Sequence, residues 1–206
     1  YAGVYPEHVD KLVMLDVFGP LPGQVEKTSS LLKSHIEARQ AGIKSHRIYP
    51  SLDRAVQARR MTATKAPGNQ RLSLEAATEI VRRATQSVRI VGDDEDRDKT
   101  QQGVGNDFGA VQFRHDTRLV WPSIQYLMPE QVDVLTRGVE WPTCIIAGDD
   151  GWPFKQDRID AALEFLDPEY HVLPGSHHLH ADPNTCESVF DIVLDFLSEK
   201  KRKYVI

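Results

Sequence analysis

The sequence predicts an α/β fold in which parallel sheet strands are flanked by helices and interrupted by one long helical insertion. Three observations predict it. Short apolar runs alternate with segments of helical length at both ends of the chain, the pattern of βαβ units. The runs HVDKLVMLD (8–16), CIIAGDDGWP (144–153) and YHVLPGSHH (170–178) each lead into a carboxylate or an imidazole, as strand ends that carry chemistry do. Between the first run and the second lies a polar stretch, about 20–138, whose clearest periodicity is helical.

Taken in order, residues 1–16 read as the end of a helix, a turn initiated by Pro6 and a buried strand over 11–16. The opening Tyr1-Ala2-Gly3-Val4-Tyr5-Pro6 has no polar lead-in, so residue 1 is expected inside an element and the chain is expected to be a C-terminal fragment. In the middle stretch Ser73 is placed to cap a helix whose apolar stripe is Leu74, Ala77, Val81, Ala84 and Val88. Residues 92–109, GDDEDRDKTQQGVGNDFG, hold almost no apolar side chain and read as a surface loop. Val104 stands where a calcium loop starting at Asp93 needs its closing Glu, and Gly103 and Gly105 lack the strand and helix of a dinucleotide turn. The alternation then resumes: a strand over 143–148, a helix over 156–166, a strand over 170–173 and a helix over about 183–198. Asp182 is the expected N-cap of that last helix, and Phe190, Val193, Leu194 and Leu197 are its expected sheet-facing stripe. Residues 1–19 and 139–206 therefore form the expected core, with 20–138 a cap inserted between two of its strands.

Composition narrows the functional classes. The chain has 206 residues, 40% of them hydrophobic and 27% charged, ordinary for one globular domain with a sizeable core. Its apolar runs are far shorter than the roughly 20 residues a membrane span needs. A net charge of -5 disfavours a nucleic-acid partner. Cys144 and Cys186 read as small core residues in a reducing compartment, with the cytoplasm the simplest expectation. The basic run Lys200-Lys201-Arg202-Lys203 reads as a solvated helix end. His177, His178 and His180 lack the spacing of a helical ligand pair, so neither a metal nor another cofactor is expected.

With these residues in view, the chain resembles the C-terminal two thirds of an α/β-hydrolase, most closely the serine hydrolase-like proteins. YAGVYPEHVDKLVMLD is similar to the helix tail and strand that follow that family's nucleophile turn, and CIIAGDDGWP to its next strand and loop. LPGSHHLHADP resembles the family's histidine loop, and FRHDTRLVWPS (113–123) the segment that re-enters the core after the cap. The resemblance implies a nucleophile, histidine and acid relay, and a serine in a G-x-S-x-G turn just upstream of Tyr1. No serine of the chain sits between such glycines, so the resemblance implies that roughly 90–110 further residues carry the nucleophile and that this segment alone is inactive.

On that resemblance His177, two residues after Gly175, is the expected base. Its acid partner is left among three residues. Many α/β-hydrolases carry the acid three residues after the Gly that ends the penultimate strand, a place that Gly151 occupies here, with Asp149 and Asp150 just before it. Asp16, at the end of the strand before the cap, is the preferred candidate, followed by Asp150 and Asp149. Trp121, Trp152, Phe113, Phe18 and Tyr126 are candidate pocket linings for a small-molecule substrate. The activity the resemblance implies is hydrolysis of a small, largely apolar ester. A non-catalytic binding protein on the same fold is the alternative, as is epoxide or haloalkane hydrolysis if the nucleophile is Asp.

Overall fold

The computed structural model describes residues 1–68, 70–88, 109–123 and 126–198. Its centre is a three-stranded parallel sheet of β1 (Leu12–Leu15), β5 (Thr143–Asp150) and β6 (Glu169–Ser176), in the order β1-β5-β6. Met14 pairs with Ile145 and Leu15 with Ile146, while Ile146 pairs on its other side with His171 and Ala147 with Val172. Parallel strands need cover on both faces. Helix α5 (Gln156–Leu166) provides one cover, packing Ala162, Ile159 and Leu163 on Met14, Ile145 and Ala147. Helix α6 (Cys186–Ser198) provides the other, setting Val189 and Phe196 against Cys144 and Ile146. Residues 144–147 are consequently buried whichever way they point. Each of the two isoleucines among them gains about 1.5–3 kcal/mol from that burial.

The three parallel strands and the two helices that cover them lie where the sequence pattern placed them, and β5 and β6 run two and four residues longer. Pro174 is tolerated within β6 because β6 is an edge strand with no further ladder to serve. Two expectations about stripes fail. On α6 it is Val189 and Phe196 that are buried, with Phe190, Leu194 and Leu197 more than half exposed, because the helix is rotated so that the adjacent i, i+3, i+7 row faces the sheet. Asp182 still anchors its approach: the carboxylate accepts the Asn184 N–H at 3.0 Å and the main-chain carbonyl accepts that of Cys186 at 2.8 Å.

The intervening stretch contains α1 (Thr28–Gln40), β2 (Ile48–Tyr49), α2 (Leu52–Ala63), α3 (Leu74–Ala84), β3 (Thr85–Ser87), β4 (Val111–Phe113) and α4 (Pro129–Arg137). Its small antiparallel sheet, in the order β2-β4-β3, is absent from the sequence reading, which has helices alone there. Ser73 does cap α3, accepting the Ala76 N–H at 3.2 Å. The stripe differs from expectation, because Val88 lies beyond the helix and Leu74 is half exposed, leaving Ala76, Ala77 and Val81 as the buried face. These side chains meet Ala55, Val56 and Ala63 of α2 and Val111 of β4 in a separate core built largely of alanine. Helix α4 lies within 20–138 but packs on α5, where Asp133 pairs with Arg158 at 2.6 Å. Residues 92–108, including Gly103, Gly105 and the rejected calcium loop, and the basic run 200–203 lie outside the described residues. No helix among those described is long and apolar enough to cross a membrane.

Candidate active site

Asp16 is the first residue past β1, and its own N–H continues the ladder by donating to Ile146 O at 2.7 Å. It then turns the chain with φ at +49°, a left-handed conformation that Asp tolerates better than most residues. The turn directs its carboxylate back under the loop that follows β5. There Oδ1 accepts the Gly148 N–H at 3.0 Å, and Oδ2 accepts the Trp152 N–H at 2.8 Å. The side chain is 2% exposed, so these bonds replace the water it has lost. Gly151 makes the enclosure possible: a Cβ there would stand 2.1 Å from Asp16 Oδ1.

The histidine loop arrives from the other side. Gly175, at φ +131°, turns the end of β6 in a conformation closed to most side chains, and Asp149 accepts its N–H at 2.8 Å. Leu179 is fully buried and holds the loop in the core, with Thr185 Oγ1 donating to its carbonyl at 2.6 Å. Between these anchors the His177 ring brings Nδ1 to 2.7 Å from Asp16 Oδ2. An ionised carboxylate only accepts, so Nδ1 carries the proton and Nε2 is left with a lone pair. The side chain is about one-third exposed, which leaves that second nitrogen within reach of a reactant.

The structure thus brings together His177 and Asp16. It does not bring Asp149 or Asp150 to the ring: Asp149 holds Gly175, and Asp150 is exposed on the wall of a neighbouring cavity of about 780 Å³. The carboxylate paired with the His177 ring is that of Asp16, and Asp150 follows a register shift in β5 between Gly148 and Asp150. Of the aromatic candidates, Trp152 lies beside His177 with ring centroids 5.6 Å apart. Phe18 is core, stacked edge-on against Phe154 and Tyr170. Phe113 packs on Tyr49, and Trp121 lies under the Arg39 guanidinium. Tyr126 is largely exposed.

One residue at the site was missed by sequence reasoning. Gln70, 2% exposed, comes from the segment between α2 and α3; its Oε1 accepts the His177 N–H at 2.9 Å while its Nε2 donates to Gly151 O at 2.9 Å and Pro67 O at 3.1 Å. A single amide thus joins the histidine loop to the loop around Asp16. No periodicity marks a lone Gln in a connector. Helix α2 also touches His178, whose Nε2 lies 3.1 Å from Arg59 Nη2. Burial first, and then the Arg59 charge and the neighbouring imidazoles, push the His178 pKa down to about 4, so it accepts from Arg59 as a neutral ring. Burial likewise lowers His180.

No family model matches the chain, and no curated protein does. Solved structures do match. A hypothetical protein from Pseudomonas aeruginosa PAO1 is 28% identical at a TM-score of 0.73, with 96% of this chain and 62% of that one covered. An α/β hydrolase from Novosphingobium aromaticivorans DSM 12444 aligns at a TM-score of 0.54 and 13% identity, over 94% of this chain and 59% of that one. The chain has the α/β-hydrolase fold. A thioesterase domain from the curacin biosynthetic pathway shares the α/β-hydrolase fold with it at a TM-score of 0.61 and 20% identity, covering 94% and 60%. The chain spans about 60% of the length of these proteins. In α/β-hydrolase terms, the paired Asp16 and His177 lie at the ends of the strands before and after β5, and the stretch from α1 to β4 is inserted between β1 and β5.

Proposed function

We propose that the chain supplies the base and acid of a cofactor-free hydrolase acting on a small, largely apolar ester or related carboxyl derivative. The nucleophile is a serine hydroxyl from a segment outside these 206 residues, and 20–138 is a cap over the strand ends. The observation that carries this reading is the 2.7 Å pair between His177 Nδ1 and a buried, doubly hydrogen-bonded Asp16. His177 Nε2 takes the proton of the attacking hydroxyl and returns it to the leaving group. Asp16 fixes the tautomer and stabilises the imidazolium while that proton is held. Because its other bonds come from main-chain N–H groups, the carboxylate is oriented before any reactant arrives. The names of the structural neighbours, a thioesterase domain among them, favour carboxyl-ester chemistry over cleavage of other bonds.

The test uses the complete protein, with whatever upstream coding segment precedes Tyr1. A fluorophosphonate probe is expected to label a serine in a G-x-S-x-G turn, and a short-chain p-nitrophenyl ester to turn over. Labelling at no serine, together with turnover of an epoxide or haloalkane, would move the nucleophile to a carboxylate. Neither labelling nor turnover of any of these substrates would make the chain part of a non-catalytic binding protein.

A further inference from the structure

We propose that Cys144, Glu169 and His171 form a binding site for a zinc-class divalent cation at the edge of the parallel sheet, remote from the relay. Strand register makes the site. Cys144 pairs with Glu169 and Ile146 with His171, so the three donors share the face on which Cys144 and Ile146 pack against α6. One ligand atom from each lies within 4.8 Å of the other two, the closest such grouping of three among the described residues. His171 Nε2 and Glu169 Oε1 already approach to 2.7 Å.

The chemistry suits one class of ion. A tetrahedral zinc ion with bonds of about 2.0–2.3 Å holds its ligand atoms roughly 3.3–3.7 Å apart. The two strand-edge side chains can close that difference by rotating, since Glu169 and His171 are partly exposed while the thiol is fixed in the core. Sulfur, imidazole and carboxylate together select a borderline-soft ion over magnesium or calcium. Thiolate and carboxylate balance the charge of a divalent ion, and the proton leaves the thiol for solvent as the metal–sulfur bond forms. Cys144 is a free, buried cysteine, and among the described residues no hydrogen bond engages its thiol, so the sulfur is available to a bound cation. Three protein ligands leave a fourth position for water on the exposed side, the arrangement of an exchangeable site.

Cys144 precedes Gly148 by four residues along β5, about 13 Å, which separates this ion from the Asp16 carboxylate. Its effect is therefore to tie β5 to the edge strand β6, and the inference stands whether or not the relay reading does.

Cobalt(II) is the probe. Titration of the complete, EDTA-treated protein is expected to show a near-ultraviolet thiolate-to-cobalt band and tetrahedral d–d absorption that saturate at one equivalent and are displaced by zinc, and zinc is expected to raise Tm. Cys144→Ala should abolish the band and Cys186→Ala should leave it. If Cys144→Ala fails to fold, Glu169→Gln and His171→Gln on the exposed edge keep the test open, each expected to weaken cobalt binding at least tenfold. No thiolate band at millimolar cobalt, a band lost only in Cys186→Ala, or affinity unchanged by both edge variants would overturn the assignment.

Discussion

The parallel sheet β1-β5-β6 and the antiparallel sheet β2-β4-β3 have three strands each, yet they are built on different terms. The first is covered by a helix on either face, and its central strand buries five consecutive residues, Thr143 to Ala147. The second has strands of two or three residues, with only Val111 fully buried, and it relies on the alanine-lined contact of α2 with α3. Rigid burial lets the first sheet hold Asp16 in a left-handed turn and still aim its carboxylate to 2.7 Å from a ring. The second region contributes position: through Gln70 it ties the histidine loop to the loop after β5. The paired Asp16 and His177 sit on the heavily buried scaffold, and what aligns them comes partly from the lightly buried one.

The largest expected break in this division lies on the parallel sheet. In the complete protein His177→Ala should lower ester turnover by about 10⁴-fold or more with the fold intact by circular dichroism, since nucleophile activation is lost. His178→Ala and His180→Ala should cost far less in the same assay. Next, Asp16→Asn keeps a residue that tolerates positive φ but removes the charge, and should lower turnover by about 10³–10⁴-fold. Asp150→Asn should leave turnover within a few fold. A larger loss at Asp150 than at Asp16 would reverse the assignment of the acid.

A smaller effect is expected across the junction of the two regions. Gln70→Ala strands the buried His177 N–H and Gly151 carbonyl and should cost about 2–4 kcal/mol in urea unfolding. Gln70→Glu retains the acceptor for His177 and should recover part of that loss. The smallest effect is a pH dependence from His178, also at the junction. Its pKa in the folded chain, about 4, lies below the value near 6.5 of an unfolded histidine, so between those values the unfolded chain binds more protons. Its contribution to stability is complete above about pH 6.5 and declines as pH falls towards 4. Urea unfolding across that window should show the slope, and His178→Asn should flatten it.

How far each region was legible follows from the same contrast. Strands buried on both faces leave continuous apolar runs such as Cys144-Ile145-Ile146-Ala147, so the parallel sheet was readable. Strands as short as Ile48–Tyr49 leave no run, and their sheet was not. His177 was readable as a candidate because a Gly and a His at fixed spacing end a strand. The carboxylate that pairs with it was narrowed to three and not fixed, because the choice depends on the course of β5 past its irregularity at Gly148, which no residue type announces. Gln70 was invisible because its partners, Gly151 and His177, are 81 and 107 positions away. The rotation of α6 was misjudged because Val189, Phe190, Val193, Leu194, Phe196 and Leu197 make the helix apolar over more than one face.

Gly151 has one more consequence. Its missing side chain and the carboxylate of Asp16 compete for the same few cubic ångströms, approached from neighbouring strands. That space therefore holds one side chain at a time, and occupancy from one strand forbids it from the other. Adding Asp at 151 to the native chain would force two carbon frameworks, and two like charges, into one space. Emptying position 16 to glycine at the same time removes the collision and keeps a residue suited to the left-handed turn. The two positions are therefore coupled: a side chain can be added at 151 only if the one at 16 is taken away.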